Sequence, residues 1–231
     1  MAAAACLIAV PAFAGTADDF AAALDHAKTA GQYKQQAEAI ETAIGKNGSA
    51  LMTQLARAYY LMGEAEKKGG AGWFDKAVSA ADLALKSAPD DSKAAYWRSM
   101  ALLRKSDLDG GLSALGWVKD ALKGLAAVAA TDPSYDYAGA YRSMGKVLIE
   151  APGWSFIGDK KKGLAYLEKA KEIAPGFPMN RLYLAQAYQK NGMKDKARAE
   201  AGQVLNAPQG GLSKQEHAEL IGDAKKLLGE L

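Results

Sequence analysis

The sequence predicts an all-α protein built from stacked helical hairpins, an α-solenoid, and three observations carry this prediction. Small and large apolar residues recur at helical spacing, prolines close the segments at intervals, and one eight-residue block occurs twice. The apolar fraction of 49% is rich in alanine, which favours helices that approach one another closely. In such an array each unit packs on its neighbours, so a chain of 231 residues grows lengthwise.

The duplicated block is the clearest internal repeat. Residues 94–101, AAYWRSMA, align with residues 138–145, AGAYRSMG. Each block begins five residues after a proline, Pro89 or Pro133. Two such blocks at the same offset from a proline indicate two consecutive copies of one structural unit.

The repeats can be assigned along the chain from this register. The first is degenerate, with Asp18 as a predicted N-cap and its two helices split at Gly31 and Gln32. A capping box at Ser213 and Glu216 begins a C-terminal helix that is predicted to seal the array. The predicted segments are residues 18–48, 49–89, 92–133, 137–175 and 178–208, followed by the capping helix at 213–230.

The second, third and fourth repeats are longer than the last. The prolines that close the second to the fourth repeat, Pro89, Pro133 and Pro175, are 44 and 42 residues apart, whereas Pro208, which closes the last repeat, follows after 33. Insertions at one point of a repeat collect on one edge of a solenoid, and that edge is often used for binding. We expect the surplus between the two helices of each hairpin, at residues 63–71, 105–115 and 150–157.

The order of residues within a repeat resembles the tetratricopeptide repeat (TPR), W-x-x-L-G-x-x-Y followed by A-x-x-x-F-x-x-A-x-x-x-x-P. The resemblance covers nearly all of residues 18–230 and implies a right-handed superhelix of about five hairpins, several of them with extended helices or inserted loops. In the fourth repeat the matching residues are Tyr141, Met144, Gly145 and Leu148, then Gly163, Leu167, Ala170 and Pro175.

A narrower resemblance rests on the loop of the fourth repeat. The segments Pro152-Gly153-Trp154, Ile157-Gly158-Asp159, 166–170 and Ala174-Pro175 are similar to exported bacterial TPR proteins, including the T component associated with TRAP-type transporters. This resemblance implies extended hairpins around a central cleft and a periplasmic location.

Residues 1–14 are predicted to be a signal peptide. The apolar run ends in Ala12-Phe13-Ala14, an A-x-A cleavage pattern, and is too short to span a bilayer, which needs about 20 residues. We therefore expect cleavage after Ala14 and a periplasmic or otherwise exported protein. The alternative is a lipoprotein acylated at Cys6, and a start upstream of Met1 stays open.

Several function classes find no support in the sequence. The net charge of +3, from 29 basic and 26 acidic residues, is too weak and too evenly spread to indicate nucleic-acid binding. No H-E-x-x-H, P-loop, G-x-S-x-G or paired cysteines occur, and the two histidines, His26 and His217, lie near opposite ends of the chain. We predict no enzymatic activity, no cofactor, no metal, and membrane contact only through lipidation or a partner.

The candidate binding residues lie at predicted groove positions. In a TPR hairpin the first helix lines the concave face, and the residue after the Trp/Tyr position points into the groove, which places Arg98 and Arg142 there. Two guanidinium groups suit a carboxylate through bidentate bonding, whereas the alternative is that they form structural ion pairs with acids of adjacent helices or lie solvated. Further candidates at nearby groove positions are Arg57, Tyr60, Lys146, Gln186 and Gln189.

Two aromatic residues in the loop of the fourth repeat are the remaining candidates. Trp154 and Phe156 would form either an apolar docking knob or a cover that folds back over the hairpin. The second interpretation is preferred because aromatic side chains are more often buried than displayed. The run at residues 160–162, three lysines, is interpreted as a solvated stretch of charge.

The sequence thus predicts a non-enzymatic scaffold that binds a protein or peptide in its groove. The alternative is a TRAP-associated component that holds a small or hydrophobic ligand in a central cleft. The polarity of the groove separates the two, because a continuous apolar tunnel favours a ligand carrier and an open charged groove favours a peptide. The identity of the partner and the oligomeric state stay open.

Overall fold

The computed structural model describes residues 15–48, 50–66 and 70–231, and its regular structure over these residues is helical throughout. The predicted signal peptide lies outside the described part. The all-α fold class is therefore confirmed. The eleven α-helices of the described part are α1 (Ala17–His26), α2 (Ala30–Asn47), α3 (Ala50–Ala65), α4 (Ala71–Ser87), α5 (Ser92–Asp109), α6 (Gly111–Thr131), α7 (Tyr135–Glu150), α8 (Lys160–Ile173), α9 (Pro178–Lys190), α10 (Lys194–Val204) and α11 (Lys214–Glu230).

Consecutive helices pack as hairpins, as the repeat pattern predicts. The pairs α3 with α4, α5 with α6, α7 with α8 and α9 with α10 pack extensively, and α2 packs on α3 nearly as extensively as α9 on α10. The chain divides into two compact units, Met1–Pro89 and Asp90–Leu231. In the described residues, α1 to α4 belong to the first unit and α5 to α11 to the second.

The second unit is closed at its C-terminal end by α11. The capping box predicted at Ser213 and Glu216 is present, with Ser213 accepting a hydrogen bond from the Glu216 backbone and Glu216 accepting one from the Ser213 backbone. The buried stripe of α11 joins Phe177, the N-cap of α9, with Leu182 of α9 and Val204 of α10 in one core cluster. That stripe consists of Leu220, Ala224 and Leu227.

The first two helices differ from the prediction. The break between them falls at residues 27–29, where Thr29 caps α2, so Gly31 and Gln32 lie inside the first turn of α2. The N-cap of α1 is Thr16, which forms a capping box with Asp19, while Asp18 lies in the first turn. The reason is chemical, because a threonine hydroxyl accepts from the third backbone N–H beyond it at both helix starts. Helix α2 packs more extensively on α3 than on α1.

The surplus residues of the third and fourth repeats adopt two different structures, whereas the surplus predicted at 63–71 includes residues 67–69, which lie outside the described part. In the third repeat α5 runs to Asp109 and α6 begins at Gly111, so the predicted insertion is extra helix around the single residue Gly110. Gly110 has a φ of 63°, a left-handed conformation that glycine tolerates well. In the fourth repeat the surplus is a loop at residues 151–159 that contains one short 3-10 turn, Gly153–Ser155.

Helices α7 and α8 cross at their closest where two glycines face each other. A Cβ atom placed on Gly145 would lie 2.6 Å from Cγ of Leu167 and 2.9 Å from the carbonyl oxygen of Gly163. A Cβ atom on Gly163 would in turn lie 2.9 Å from the carbonyl oxygen of Gly145. Because backbone atoms line both sides of this contact, a side chain at either position forces the helices apart.

Among the described residues, both units contain a tyrosine–carboxylate–lysine contact. The hydroxyl of Tyr188 on α9 donates to Glu168 of α8 at 2.8 Å, and Lys196 of α10 lies 5.4 Å from the centre of the tyrosine ring. In the first unit, Tyr59 of α3 donates to Glu41 of α2, and Lys76 of α4 lies 5.5 Å from its ring centre. Each tyrosine thus joins its own helix to the helices before and after it in the chain.

We predict that Gly145→Leu destabilises the second unit by roughly 1–3 kcal/mol or more, because the added side chain overpacks the crossing with Leu167 and Gly163. Thermal unfolding followed by circular dichroism measures the effect. Gly116→Leu is the matched control, since Gly116 is exposed and a Cβ atom there meets nothing within 4 Å. An unchanged melting temperature for Gly145→Leu would contradict the close crossing.

We also predict that stability falls at alkaline pH because of Tyr59 and Tyr188, the two tyrosines that donate to carboxylates. Burial, followed by the hydrogen-bonded carboxylate, raises the pKa of Tyr59 and of Tyr188 above the ordinary value of 10.0. On raising the pH, the two tyrosines lose their protons in the unfolded chain before they do so in the folded one. Their contribution to the stability of the fold is therefore complete below pH 10.0 and is lost as the pH rises above it.

The measurement compares the melting temperatures of wild type and Tyr59→Phe/Tyr188→Phe at about pH 9 and about pH 11. The double variant should start less stable and lose less between the two pH values. Tyr141→Phe is the control, at a ring that packs on Tyr166 with 5.7 Å between centroids. Equal losses in all three proteins would refute the assignment.

Candidate functional site

A cleft of about 280 Å³ in the second unit is formed by the C-terminal parts of α7, α9 and α11. Seven of its eight lining residues are polar or charged, and Leu227 is the apolar one. The lining comprises Glu150 from α7, Gln186, Gln189 and Lys190 from α9, and Asp223, Lys226, Leu227 and Glu230 from α11.

Helical spacing explains why these side chains meet. Gln186, Gln189 and Lys190 are three and four residues apart, so they share one face of α9. The residues of α11 follow the same rule, since positions 223, 226, 227 and 230 lie along one face. These faces of α9 and α11 and the end of α7 therefore build a polar cleft beside the core, and Leu227 belongs to both.

Charges of both signs are interspersed in the cleft. The ammonium nitrogen of Lys190 lies 3.5 Å from a carboxylate oxygen of Glu150, and this ion pair joins α9 to α7. The side-chain amide of Gln189 donates to Glu230 at 3.2 Å, joining α9 to α11. These contacts are exposed to solvent, so a ligand can replace them at small cost, because exposed ion pairs contribute little to stability.

Lys146 adds a positive charge one helical turn before Glu150. Its ammonium group lies 4.7 Å from the centre of the Tyr183 ring of α9. Burial would lower the pKa of Lys146, but attraction to Tyr183, Glu150 and Asp107 raises it above its ordinary value. Lys146 therefore stays charged in the physiological pH range.

Known structures with the same arrangement of helices are TPR proteins. The crystal structure of TTC0263, a thermophilic TPR protein of Thermus thermophilus, matches with a TM-score of 0.64 at 19% sequence identity, over 86% of this chain and 91% of that chain. The chain has the TPR fold.

MamA also has a similar fold. MamA from Desulfovibrio magneticus RS-1 matches with a TM-score of 0.53 at 20% identity, over 82% of this chain and 93% of that chain. A further crystal structure of MamA gives a TM-score of 0.51 at 16% identity, over 87% and 91% of the two chains. No protein-family model matches the sequence, and no curated protein matches it.

The TPR fold brings some of the predicted groove residues together. Gln186 and Gln189 line the cleft, and Lys146 lies beside it. Arg98 is half-buried on α5. Within the described residues, no group of three histidine, cysteine, aspartate or glutamate side chains is placed to hold a metal ion.

Two further candidates lie in the first unit and make structural contacts. Arg57 of α3 forms an ion pair with Asp25 of α1 and also donates to the carbonyl oxygen of Ala21 at 3.4 Å. Tyr60 is buried and packs on Phe74 of α4, with 5.8 Å between ring centroids. Arg57 thus joins α1 to α3, and Tyr60 belongs to the core instead of an open groove surface.

Arg142 is the main correction to the predicted site. The prediction places its guanidinium group in an open groove, but the residue is only 5% exposed. One terminal nitrogen donates to Asp136 at 2.7 Å, and the other lies 3.1 Å from the side-chain oxygen of Asn180. The guanidinium group also stacks over the Phe177 ring at 4.9 Å. Arg142 therefore fits the alternative interpretation, since it forms a structural ion pair with Asp136.

These contacts hold an unusual turn at the start of α7. Asp136, Tyr137 and Ala138 have φ of 49°, 55° and 61°, the left-handed helical conformation, which costs about 1–2 kcal/mol for each residue other than glycine. Arg142 lies 3.1 Å from the carbonyl oxygens of Asp136 and Tyr137, and Asn180 donates to that of Tyr137 at 3.0 Å. Arg142 and Asn180 therefore offset the strain, because they donate hydrogen bonds to carbonyl oxygens of the turn.

Trp154 and Phe156 also differ from the preferred interpretation. They do not fold back over the hairpin, since Trp154 is 60% exposed and Phe156 is 97% exposed. Ser155 between them is buried, with its hydroxyl donating to the carbonyl oxygen of Pro152 at 2.6 Å. The 3-10 turn therefore directs the serine inward and both rings outward.

Sequence reasoning missed the contribution of α11 to the cleft. The sequence indicates this helix only as a cap, because its apolar stripe and capping box are its strongest signals. The available signal was the second face of the same helix, on which charged residues recur with the helical period. The missed cleft residues are Glu150, Lys190, Asp223, Lys226, Leu227 and Glu230.

We predict that Arg142→Ala lowers the free energy of unfolding by roughly 2–3 kcal/mol. Removing one partner of a fully buried pair costs about 3–5 kcal/mol, and the effect is smaller here because the Asp136 side chain is 32% exposed. Arg142→Lys should recover little, since an ammonium group cannot reproduce the planar set of donors. Chemical denaturation measures both, with Arg198→Ala as the control, at an arginine of α10 whose side chain is 52% exposed. Equal stabilities of Arg142→Ala and Arg198→Ala would contradict the structural role.

Proposed function

We propose that the chain is a non-enzymatic scaffold and that the cleft between α7, α9 and α11 binds a segment of a partner protein. The single observation that carries the proposal is the composition of the cleft, in which seven of eight lining residues are polar or charged. Glutamine side chains both donate and accept, so Gln186 and Gln189 can pair with the backbone of an extended peptide.

The charges of the cleft suggest the kind of segment. Lys190 and Lys226 stand among Glu150, Asp223 and Glu230. Such a surface favours a peptide that carries charges of both signs, and it disfavours a uniformly acidic or basic one through like-charge repulsion. The TPR fold supports this proposal, because its helices present a preformed surface that rearranges little on binding.

The alternative, a carrier for a hydrophobic ligand, requires an apolar lining. Ligand pockets are lined predominantly by hydrophobic and aromatic side chains, whereas this cleft offers Leu227 alone. The link to TRAP-type transporters stays a prediction. Export stays a prediction as well, since it rests on residues 1–14.

We predict that Gln186→Ala/Gln189→Ala weakens partner binding by roughly tenfold or more, because each lost hydrogen bond contributes about 0.5–1.5 kcal/mol. Crosslinked capture from cells that express the native protein identifies the partner, and titration of the purified partner gives the dissociation constants. The melting temperature should stay close to that of wild type, since the cleft face of α9 lies outside the core.

Leu83→Ser, at an exposed apolar residue of α4, is the control for this experiment. It should bind the partner as wild type does. A partner that binds the double glutamine variant and wild type equally would show that the cleft is not the binding site.

A further inference from the structure

The first helices of the hairpins in the second unit end side by side. Glu150 at the end of α7 pairs with Lys190 at the end of α9, and Gln189 bonds Glu230 near the end of α11. Helix α5 runs parallel to α7, since Tyr96 and Met100 of α5 contact Asp136 and Ser143 of α7 in the same order along the chain. The tips that connect first to second helices therefore lie along one edge, which we call the hairpin-tip edge.

Each successive tip on this edge exposes a large apolar side chain. Leu108 at the α5–α6 tip is 50% exposed, and Met193 at the α9–α10 tip is 40% exposed. Between them lies the α7–α8 tip with Trp154 and Phe156, the most exposed apolar residues of the set. Scattered exposed apolar residues are ordinary, but a row of them on consecutive tips indicates an interaction surface.

The α7–α8 tip is held in place by its own backbone contacts. The backbone N–H of Asp159 donates to the carbonyl oxygen of Leu148 at 3.0 Å, and that of Ser155 donates to Pro152 at 2.9 Å. The backbone N–H of Ile157 donates to the Ser155 hydroxyl at 3.2 Å. The two exposed rings therefore stand on an ordered turn, which lowers the entropy lost on binding.

Lysines accompany the apolar tips. Residues 160–162, three exposed lysines, follow Phe156 closely, and exposed Lys190 and Lys194 flank Met193. Acidic residues are present too, and Asp109 is exposed beside Leu108. Most of the others are engaged locally: Asp107 with Arg104 at 3.0 Å, Glu150 with Lys190 at 3.5 Å, Asp195 with Arg198 at 3.5 Å, and Asp159 with the backbone N–H of Lys162 at 2.9 Å.

We propose that the hairpin-tip edge contacts the surface of an anionic phospholipid bilayer. Trp154 and Phe156 enter the headgroup region, where aromatic side chains are favoured, and the lysines at 160–162 face the lipid phosphates. The exposed lysines complement the charge of anionic lipid phosphates, and a bilayer can take up apolar residues that are spread along an edge. The proposal does not depend on the cleft.

The proposed contact of the hairpin-tip edge lies at the surface of the bilayer. Over the described residues, no helix is long and apolar enough to cross a bilayer. The sequence predicts membrane contact only through lipidation or a partner, and the hairpin-tip edge adds a third route through the folded domain itself.

The test is flotation of the full chain with vesicles of phosphatidylcholine alone or mixed with phosphatidylglycerol. Wild type should bind the mixed vesicles far better, and added salt should weaken the binding. Trp154→Ser/Phe156→Ser should lower the partition coefficient at least about tenfold, since each ring loses apolar burial. Lys160→Ser/Lys161→Ser should lower it by about fivefold for each lysine and reduce its salt dependence.

Three controls make the result specific. All variants keep the same N-terminal segment, so any lipid binding by residues 1–14 is common to them. Leu83→Ser removes an exposed apolar residue of α4, which belongs to the first unit, and should bind vesicles as wild type does. Gln186→Ala/Gln189→Ala should also bind as wild type does, which separates this proposal from the cleft.

Equal vesicle binding by wild type and Trp154→Ser/Phe156→Ser would overturn the proposal. The absence of any preference for anionic vesicles would overturn it as well. If the tip variant instead loses affinity for a purified protein partner while wild type ignores vesicles, the hairpin-tip edge docks a protein and the lipid assignment is wrong.

Discussion

The buried contact between Arg142 and Asn180 is the constraint on which the second unit depends. Arg142 bonds Asp136 and the carbonyl oxygens of the left-handed turn, and the Asn180 amide donates to carbonyl oxygens of both α7 and α8. Tyr96 of α5 also donates to Asp136. One guanidinium group and one amide thus fix the start of α7 against α5, α8 and α9. Because both are buried, replacing either leaves polar groups without partners in the core.

The same network explains why the turn at the start of α7 stays left-handed. Three residues in this conformation, none of them glycine, together cost about 3–6 kcal/mol. The offsetting contacts include the hydrogen bonds to their carbonyl oxygens and the stacking of Tyr137 on Phe177, with 4.4 Å between ring centroids. Arg142 comes from the same helix as the strained residues, whereas Asn180 and Phe177 lie beyond the fourth repeat, so that part of the compensation is not visible within one repeat alone.

Sequence reasoning predicted the fold well because TPR packing follows local rules. The close crossing at Gly145, the stripe of α11 and the capping box at Ser213 each depend on residues within one or two helices. The site was predicted less well, because the burial of Arg142 depends on Asn180, 38 residues away. Arg98 and Arg142 are equivalent in the duplicated block, yet equivalence within a repeat does not determine what the next repeat places against it. Trp154 and Phe156 are exposed on a turn in which the Ser155 hydroxyl bonds neighbouring backbone groups, and composition alone does not indicate such a turn.

The position of the surplus residues explains why the cleft and the hairpin-tip edge of the second unit lie close together. Adding residues between the two helices of a hairpin lengthens the first helix or enlarges the tip, and both outcomes occur, in α5 and in residues 151–159. The cleft is lined by the last turns of α7 and α9, so it opens close to the hairpin-tip edge. A peptide bound in the cleft would therefore lie near whatever the exposed rings contact. If that is a bilayer, the arrangement would favour partners that emerge from the same membrane surface, because their effective concentration at the cleft is raised.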